Sequence, residues 1–163
     1  EGDVVSNNVS TAEELAAALL SDEQHIAITL ANDIEVPMSS LGTQTAGSGE
    51  YKLGGDNTES IEIDLNTHKL TITTSYMSAI GAKNDDATIT IKNGSMNSTG
   101  NSSKTWNIND LMFANCNYEF ENVIFDKEVA LTNTGKNVTM KDVTINGTLL
   151  CPLDSGRRSG CNY

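Results

Sequence analysis

The chain has 163 residues, enough for one domain with a continuous core, and 22 acidic against 10 basic residues give it a net charge of −12. This charge argues against nucleic acid as a partner, because binding a polyphosphate requires a surplus of Lys and Arg. It equally argues against adhesion to an anionic membrane surface. No run of about 18 apolar residues is present, so the sequence predicts no membrane-spanning segment.

The first predicted element is an amphipathic helix over residues 10–22, STAEELAAALLSD. Ser10 and Glu13 stand at the spacing of a capping box, in which each side chain satisfies a free N–H group of the first helical turn. The apolar residues then follow the i, i+3, i+4, i+7 rule and form one stripe: Ala12, Leu15, Ala16 and Leu19. We expect this helix to cover the first edge of a β core, which would otherwise be exposed. The alternative is an ordinary packed helix.

Strand patterns replace helical periodicity from residue 25 onward. HIAITLANDIEV alternates apolar and polar residues on both sides of a turn at Asn32-Asp33, and Pro37 ends the pattern. Residues 39–58 are rich in Gly, Ser and Thr without a clear period, which predicts a long surface loop. SIEIDLNTHKLTITT then predicts two more strands with a turn near Asn66.

A short phrase recurs in the second half of the chain. Its copies begin 29 and then 20 residues apart, and the insert NSTGNSSKTWNIN accounts for the longer spacing. Such a repeat with an insertable loop predicts structural units that stack on one another. The three copies align without gaps as Ile89-x-Ile91-x-Asn93-Gly94-x-Met96, Tyr118-x-Phe120-x-Asn122-Val123-x-Phe125 and Val138-x-Met140-x-Asp142-Val143-x-Ile145.

The polar residue at the centre of each copy is predicted to turn a corner. Asn93, Asn122 and Asp142 each separate two apolar alternations. Asn and Asp tolerate positive φ and bond to their own backbone, so they suit such corners. In stacked units the Asn side chains would form a hydrogen-bonded ladder along the corner, and this structural role explains them better than catalysis does.

Taken together, these segments resemble the right-handed parallel β-helix proteins of the pectin-lyase-like type, including short secreted or surface proteins of gut bacteria. The resemblance is carried by TAEELAAAL, ITLANDIEV, IDLNTHKLTI and ITIKNGSM and spans about residues 10–150. It implies an all-β fold, a right-handed parallel β-helix of about five or six coils with an N-terminal capping α-helix. The single domain would cover 1–163, with the helix at 10–22, coils over 25–150 and an irregular tail at 151–163.

The resemblance also frames the functional prediction. It implies a protein that is secreted or on the cell surface, extracellular or periplasmic, and exposed to polysaccharide or to other surface proteins. We expect a non-catalytic module that binds a glycan or a protein partner. The alternative is a polysaccharide lyase or glycoside hydrolase of this fold, or a degenerate relative of one.

The residues that such enzymes require are sparse. A lyase needs a base near the substrate's α-proton and a positive site for the uronate, whereas the repeats hold only scattered lysines and the arginines Arg157 and Arg158 lie in the tail. A hydrolase needs two or three carboxylates from neighbouring units on one face, and Asp85-Asp86 is the only adjacent pair in the repeats. The sequence therefore predicts no catalytic residue.

Three residues are the candidates for ligand binding. Asp85 and Asp86 lie in the turn GAKNDDAT, although aspartates in turns are usually solvated corner residues. Trp106, the sole tryptophan, lies in the insert and could stack on a sugar ring. The alternative for Trp106 is that it folds its own loop onto the core, since Trp is largely buried in most proteins.

Metal and cysteine chemistry are weakly indicated. A calcium site could use Asp56, Asp85 and Asp86 with backbone carbonyls, and no other cofactor is predicted. No Cys/His spacing suits structural zinc. Cys151 and Cys161 bracket PLDSGRRSG and could form a disulfide in an oxidising compartment, whereas Cys116 is expected to be a small buried hydrophobe. The pattern sets no oligomeric state.

Overall fold

The computed structural model describes residues 4–44, 49–74, 78–100, 111–133 and 135–150. These residues form fourteen strands and two helices. The first half of the chain contains β1 (Val4–Val9), α1 (Ala12–Leu19), β2 (His25–Leu30), β3 (Ile34–Pro37), α2 (Met38–Leu41), β4 (Thr43–Gln44), β5 (Glu50–Leu53), β6 (Ser60–Asp64) and β7 (Lys69–Thr74). The second half contains β8 (Ala79–Ala82), β9 (Thr88–Gly100), β10 (Leu111–Ala114), β11 (Asn117–Phe125), β12 (Val129–Thr132), β13 (Val138–Ile145) and β14 (Leu149–Leu150).

The strands belong to two sheets. The eight-stranded sheet has the order β1-β2-β6-β9-β11-β13, with β3 and β7 joined to it through the second half of β9, and its described pairs are all parallel. The six-stranded sheet has the order β14-β12-β10-β8-β5-β4 and is mixed, because β4 and β5 pair antiparallel. The two sheets form a half-barrel around one apolar core.

This arrangement corrects the predicted fold class. The protein is mostly β, but the right-handed parallel β-helix of five or six coils is wrong, because the strands make a parallel and a mixed sheet in a half-barrel. Alternating aliphatic residues determine which strands can pair side by side and which face is buried. They do not determine how the sheets connect and close, and the segment with α2 and the antiparallel pair departs from any repeated unit.

The alignment of the three repeats is nevertheless present as strand register. Ile91 of β9 lies beside Phe120 of β11, which lies beside Met140 of β13. Each repeat is one continuous strand that bends at its central residue, and not two strands with a turn between them. The bends coincide with positive φ values of 62° at Asn93, 54° at Asn122 and 54° at Asp142.

Aromatic rings fill the middle of the core and join the two sheets. Phe113 on β10 of the six-stranded sheet contacts Tyr118, Phe120 and Phe125 on β11 of the eight-stranded sheet, with ring centroids 5.0 to 6.1 Å apart. All four side chains are at most 1% exposed. Tilted and edge-on ring pairs of this kind add to the stabilisation that burial of the rings provides.

The predicted helix is present but is shorter, and its N-terminal cap lies one residue later. Thr11 is the N-cap and accepts a hydrogen bond from the Glu14 backbone N–H, while the Glu14 carboxylate accepts one from the Ser10 N–H. The prediction that Ser10 and Glu13 form the capping box is therefore wrong. Leu15 and Leu19 are buried in the core as predicted, but the helix follows β1, a strand that the sequence patterns did not reveal.

The predicted loop over residues 39–58 contains structure of its own. It includes α2, β4, β5 and a turn that packs against the end of α1. In that turn Gly54 has a φ of 72° and donates its N–H to the Leu19 carbonyl, 2.6 Å away. A Cβ on Gly55 would lie 1.8 Å from Asp22 Oδ1, so this close approach requires glycine.

Candidate binding surface

The strongest candidate for a functional surface is the outer side of the eight-stranded sheet, where β6, β9, β11 and the first half of β13 lie side by side. Along β6 and along β9 up to Lys92 every second residue is buried and the residues between point outward, which is what a strand with one solvated face requires. We call the outward residues the polar face. Its members are Ser60, Glu62, Asp64, Thr88, Thr90, Lys92, Asn117, Glu119, Glu121, Thr139 and Lys141.

Parallel register arranges the polar face in rows that cross the strands. One row runs from Glu62 through Thr90 and Glu119 to Thr139, and the Thr90 hydroxyl lies 3.4 Å from a Glu119 oxygen. The next row runs through Asp64, Lys92, Glu121 and Lys141. Neighbouring members of a row are about 4.8 Å apart at the backbone, the usual spacing between strands.

Two ion pairs hold both lysines of this face against carboxylates. Lys92 Nζ lies 3.1 Å from Glu62 Oε1, and Lys141 Nζ lies 3.4 Å from Glu121 Oε1. The hydrogen bond to Glu62 raises the pKa of Lys92 above its usual value of 10.5, and nearby carboxylates contribute. The face holds four carboxylates, those of Glu62, Asp64, Glu119 and Glu121, against these two lysines, so it carries a net negative charge.

A short ladder of side-chain amides borders the polar face at the bends of β9 and β11. Asn93 donates from Nδ2 to Asp64 Oδ1, and its own Oδ1 accepts a hydrogen bond from Asn122 Nδ2, both at 3.3 Å. The predicted ladder of Asn residues is thus confirmed. These bonds tie three neighbouring strands together at the corner and hold the adjacent polar rows in place.

The predicted binding residues Asp85 and Asp86 lie in the turn before β9, at the border of the polar face. Asp86 accepts a hydrogen bond from Lys136 Nζ at 2.9 Å, and this contact raises the pKa of Lys136. The Asp86 side chain is 89% exposed. The turn is held by the Asn84 side chain, which bonds the Asp86 N–H and the Thr58 carbonyl. Both aspartates are exposed as predicted, and a role in binding stays a prediction.

Several predicted positions fall outside the described residues. Trp106 lies in the gap between β9 and β10, and Cys151 and Cys161 lie beyond β14. The third cysteine, Cys116, is a buried free thiol as predicted. Burial raises its pKa to about 11, so it is a protonated packing residue at neutral pH.

Two of the three carboxylates named for calcium, those of Asp56 and Asp86, are engaged by different lysines. Asp56 lies 3.8 Å from Lys83 Nζ, whereas Asp86 is bonded to Lys136. Within the described ranges, no group of three or more His, Cys, Asp or Glu side chains is placed to hold a metal ion. Calcium binding therefore stays a prediction.

The residues of the polar face stand at regular positions in the sequence patterns, but those patterns did not show that the residues form one surface. Glu62, Thr90 and Glu119 occupy the polar positions of the same alternations that predicted the strands. In a single strand such residues only mark the solvated side. Whether they form one continuous surface depends on which strands are neighbours, and only the strand register shows that.

Among the described parts of the chain, no helix has the length and apolar character needed to cross a membrane. Comparison with known proteins assigns the chain to no family: no family model, curated protein or solved structure matches it. The resemblance to pectin-lyase-like proteins therefore stays a prediction from its sequence.

Proposed function

We propose that the protein is a non-catalytic module, secreted or on the cell surface, that binds a neutral carbohydrate chain through its polar face. The observation that carries this proposal is the in-register array of hydroxyl, amide and carboxylate groups on β6, β9, β11 and β13. Sugar hydroxyls both donate and accept hydrogen bonds, so a fixed array with both kinds of partner suits them. Carboxylates are the strongest acceptors in this array.

The shape and charge of the polar face narrow the ligand class. Its rows repeat every strand, about 4.8 Å, so a linear chain lying across the strands would meet similar groups at each step. The excess of carboxylates and the net charge of −12 would repel an anionic polysaccharide. A neutral glycan is therefore favoured over a uronate polymer, and a protein surface is the other possible partner.

Binding to immobilised polysaccharides, neutral and anionic, tests the proposal. In a double variant, Thr90→Ala and Glu119→Ala remove a hydroxyl and a carboxylate from the middle of one row while leaving the buried side of the sheet unchanged. We expect the affinity for a neutral glycan to fall about tenfold or more, because a neutral and a charged hydrogen bond are both lost.

A matched control is Glu35→Ala, which removes an exposed carboxylate on β3, outside the polar face. Its affinity should equal that of the unaltered protein. If no neutral glycan binds, or if the double variant binds as well as the control, the polar face is not a carbohydrate site. Protein partners would then be sought instead.

One observation favours the enzymatic alternative. Glu62 and Glu119 point outward from equivalent positions two strands apart, at a backbone separation of about 10 Å. This is near the carboxyl separation of inverting glycoside hydrolases, which is about 6.5–9.5 Å. However, Glu62 is paired with Lys92. Reducing ends released from a polysaccharide, and abolished by Glu62→Gln or Glu119→Gln, would establish hydrolysis and overturn the non-catalytic proposal.

A further inference from the structure

The two ends of the half-barrel are covered to different degrees. At one end α1 buries Leu15 and Leu19 in the core, where they are 0% and 1% exposed. At the other end the last strand of the eight-stranded sheet is β13, which pairs with β11 on one side and with no other described strand. An unpaired strand edge presents backbone N–H and C=O groups that can pair with another chain.

The apolar residues at this end are less buried than their equivalents in the other repeats. Their counterparts in β11 are at most 1% exposed, whereas those in β13 and β14 are only partly buried against the core. The partly buried residues are Val138, Met140, Val143, Ile145 and Leu149. We call this surface the open end.

The sequence of β13 is complementary to itself in the antiparallel direction. The strand reads Val-Thr-Met-Lys up to Lys141 and Asp-Val-Thr-Ile from Asp142, with the bend at Asp142. A two-fold axis between Lys141 and Asp142 exchanges the two arms. It places apolar residues opposite apolar ones, Thr opposite Thr and Lys opposite Asp, in the pairs Val138 with Ile145, Thr139 with Thr144, Met140 with Val143, and Lys141 with Asp142.

This complementarity is specific to the repeat at the edge. The same operation on β11 would put Glu119 opposite Ile124 and Glu121 opposite Asn122. On β9 it would put Ile91 opposite Gly94. Only in β13 do the charges and the apolar side chains both match. Because the axis passes between Lys141 and Asp142, the bends of the two copies lie next to each other.

We propose that a second copy of this chain docks on the open end, with the two β13 strands paired antiparallel about a two-fold axis. The contact is isologous, so Lys141 of each copy faces Asp142 of the other and the apolar residues of the open end are buried between the copies. The eight-stranded sheets of the two copies then continue into one another, which satisfies both edges.

Sedimentation equilibrium of the full chain over a range of concentrations, at about 0.15 M salt, tests this proposal. The unaltered protein should form dimers. Lys141→Glu puts like charges in both symmetric contacts and should weaken dimerisation about tenfold or more. The control Lys83→Glu makes the same change in net charge in an exposed turn away from the open end, and should leave the dissociation constant unchanged.

A charge-reversed pair makes the test specific for this interface. Asp142→Lys alone places lysines opposite lysines and should also weaken dimerisation. An equimolar mixture of the Lys141→Glu and Asp142→Lys variants restores opposite charges in both contacts, so heterodimers should form with the original affinity.

If Asp142→Lys fails to fold, as circular dichroism would reveal, hydrogen exchange of the β13 amides in dimer and monomer replaces it. Slower exchange confined to β13 supports the proposal. A chain that stays monomeric at every concentration, or a dimer that Lys141→Glu and Lys83→Glu affect equally, overturns it.

Discussion

The eight-stranded and six-stranded sheets enclose the same core but differ in how far the outer side of each sheet is buried. In the eight-stranded sheet buried and outward residues alternate, as in β2 and β6. In the six-stranded sheet both sides of the central strands are buried, so that all four residues of β8 are inaccessible. Several outward positions there hold small residues, such as Gly81, Ala114 and Ala130.

This difference in burial affects how readily each strand can be predicted from the sequence. A strand with one solvated side has a two-residue period that can be read from the sequence, whereas a strand buried on both sides has none. The solvated side is also free to carry polar groups, so the candidate binding surface lies on the eight-stranded sheet. The comparison predicts that substitutions of outward residues have small effects on one sheet and large effects on the other.

The largest effect is expected in the core between the sheets. Phe113→Ala removes the ring that joins β10 to three aromatic residues of β11. We expect the free energy of unfolding to fall by about 3–5 kcal/mol, as for other buried aromatic residues. Urea denaturation measures it. Ile124→Ala, on the outer side of β11 and 47% exposed, is the control and should change stability by less than about 0.5 kcal/mol.

The second prediction compares the outer sides of the two sheets directly. A Cβ on Gly81 would lie 2.5 Å from Asn115 Oδ1, which accepts a hydrogen bond from the Ala82 N–H. Gly81→Ala should therefore cost about 1–3 kcal/mol in the same assay. Ala27→Val, on the outer side of β2, should stay within about 0.5 kcal/mol. Equal costs for the two variants would contradict the difference between the sheets.

A smaller effect is expected at the corner of the eight-stranded sheet. Asn93→Ala keeps a Cβ at a φ of 62° and removes the side-chain bonds to Asp64 and Asn122. We expect a loss of about 1–2 kcal/mol in unfolding free energy. Asn93→Gly relieves the backbone conformation and should cost less. If the glycine variant is as unstable as the alanine variant, the positive φ at this corner contributes nothing to the loss of unfolding free energy.

The smallest effect concerns the acid dependence of an exposed corner. The backbone N–H of Lys69 donates to Asp33 Oδ1 at 2.9 Å, and His68 lies close by, which lowers the pKa of Asp33 below 3.8. A carboxyl group with a lowered native pKa contributes stability that is fully present above its unfolded pKa and is lost as pH falls through the native value.

Nuclear magnetic resonance titration of the Asp33 carboxyl should therefore give a midpoint below 3.8. Asp33→Asn should make the fall in stability below that pH shallower, with little change at neutral pH beyond the loss of one surface contact. A midpoint at or above the ordinary value would show that the Lys69 bond does not form in solution.

The sequence predicted the parts of the fold that depend on local pattern. The alternation in HIAITL and SIEID gave β2 and β6, and the aligned repeats gave the register of β9, β11 and β13. It missed β1, the elements inside residues 39–58 and the polar face. Those depend on contacts between distant segments, such as the Gly54 bond to Leu19, which leave no period in the sequence.

What the sequence determined by itself was the strands with one solvated side, their buried residues and the corner residues, because side-chain alternation and the tolerance of Asn and Asp for positive φ act over a few residues. The tertiary structure decided that these strands form a parallel and a mixed sheet in a half-barrel, because closure depends on long-range packing between the sheets. It also decided which polar residues lie together, since neighbours in a sheet are set by register and not by proximity along the chain.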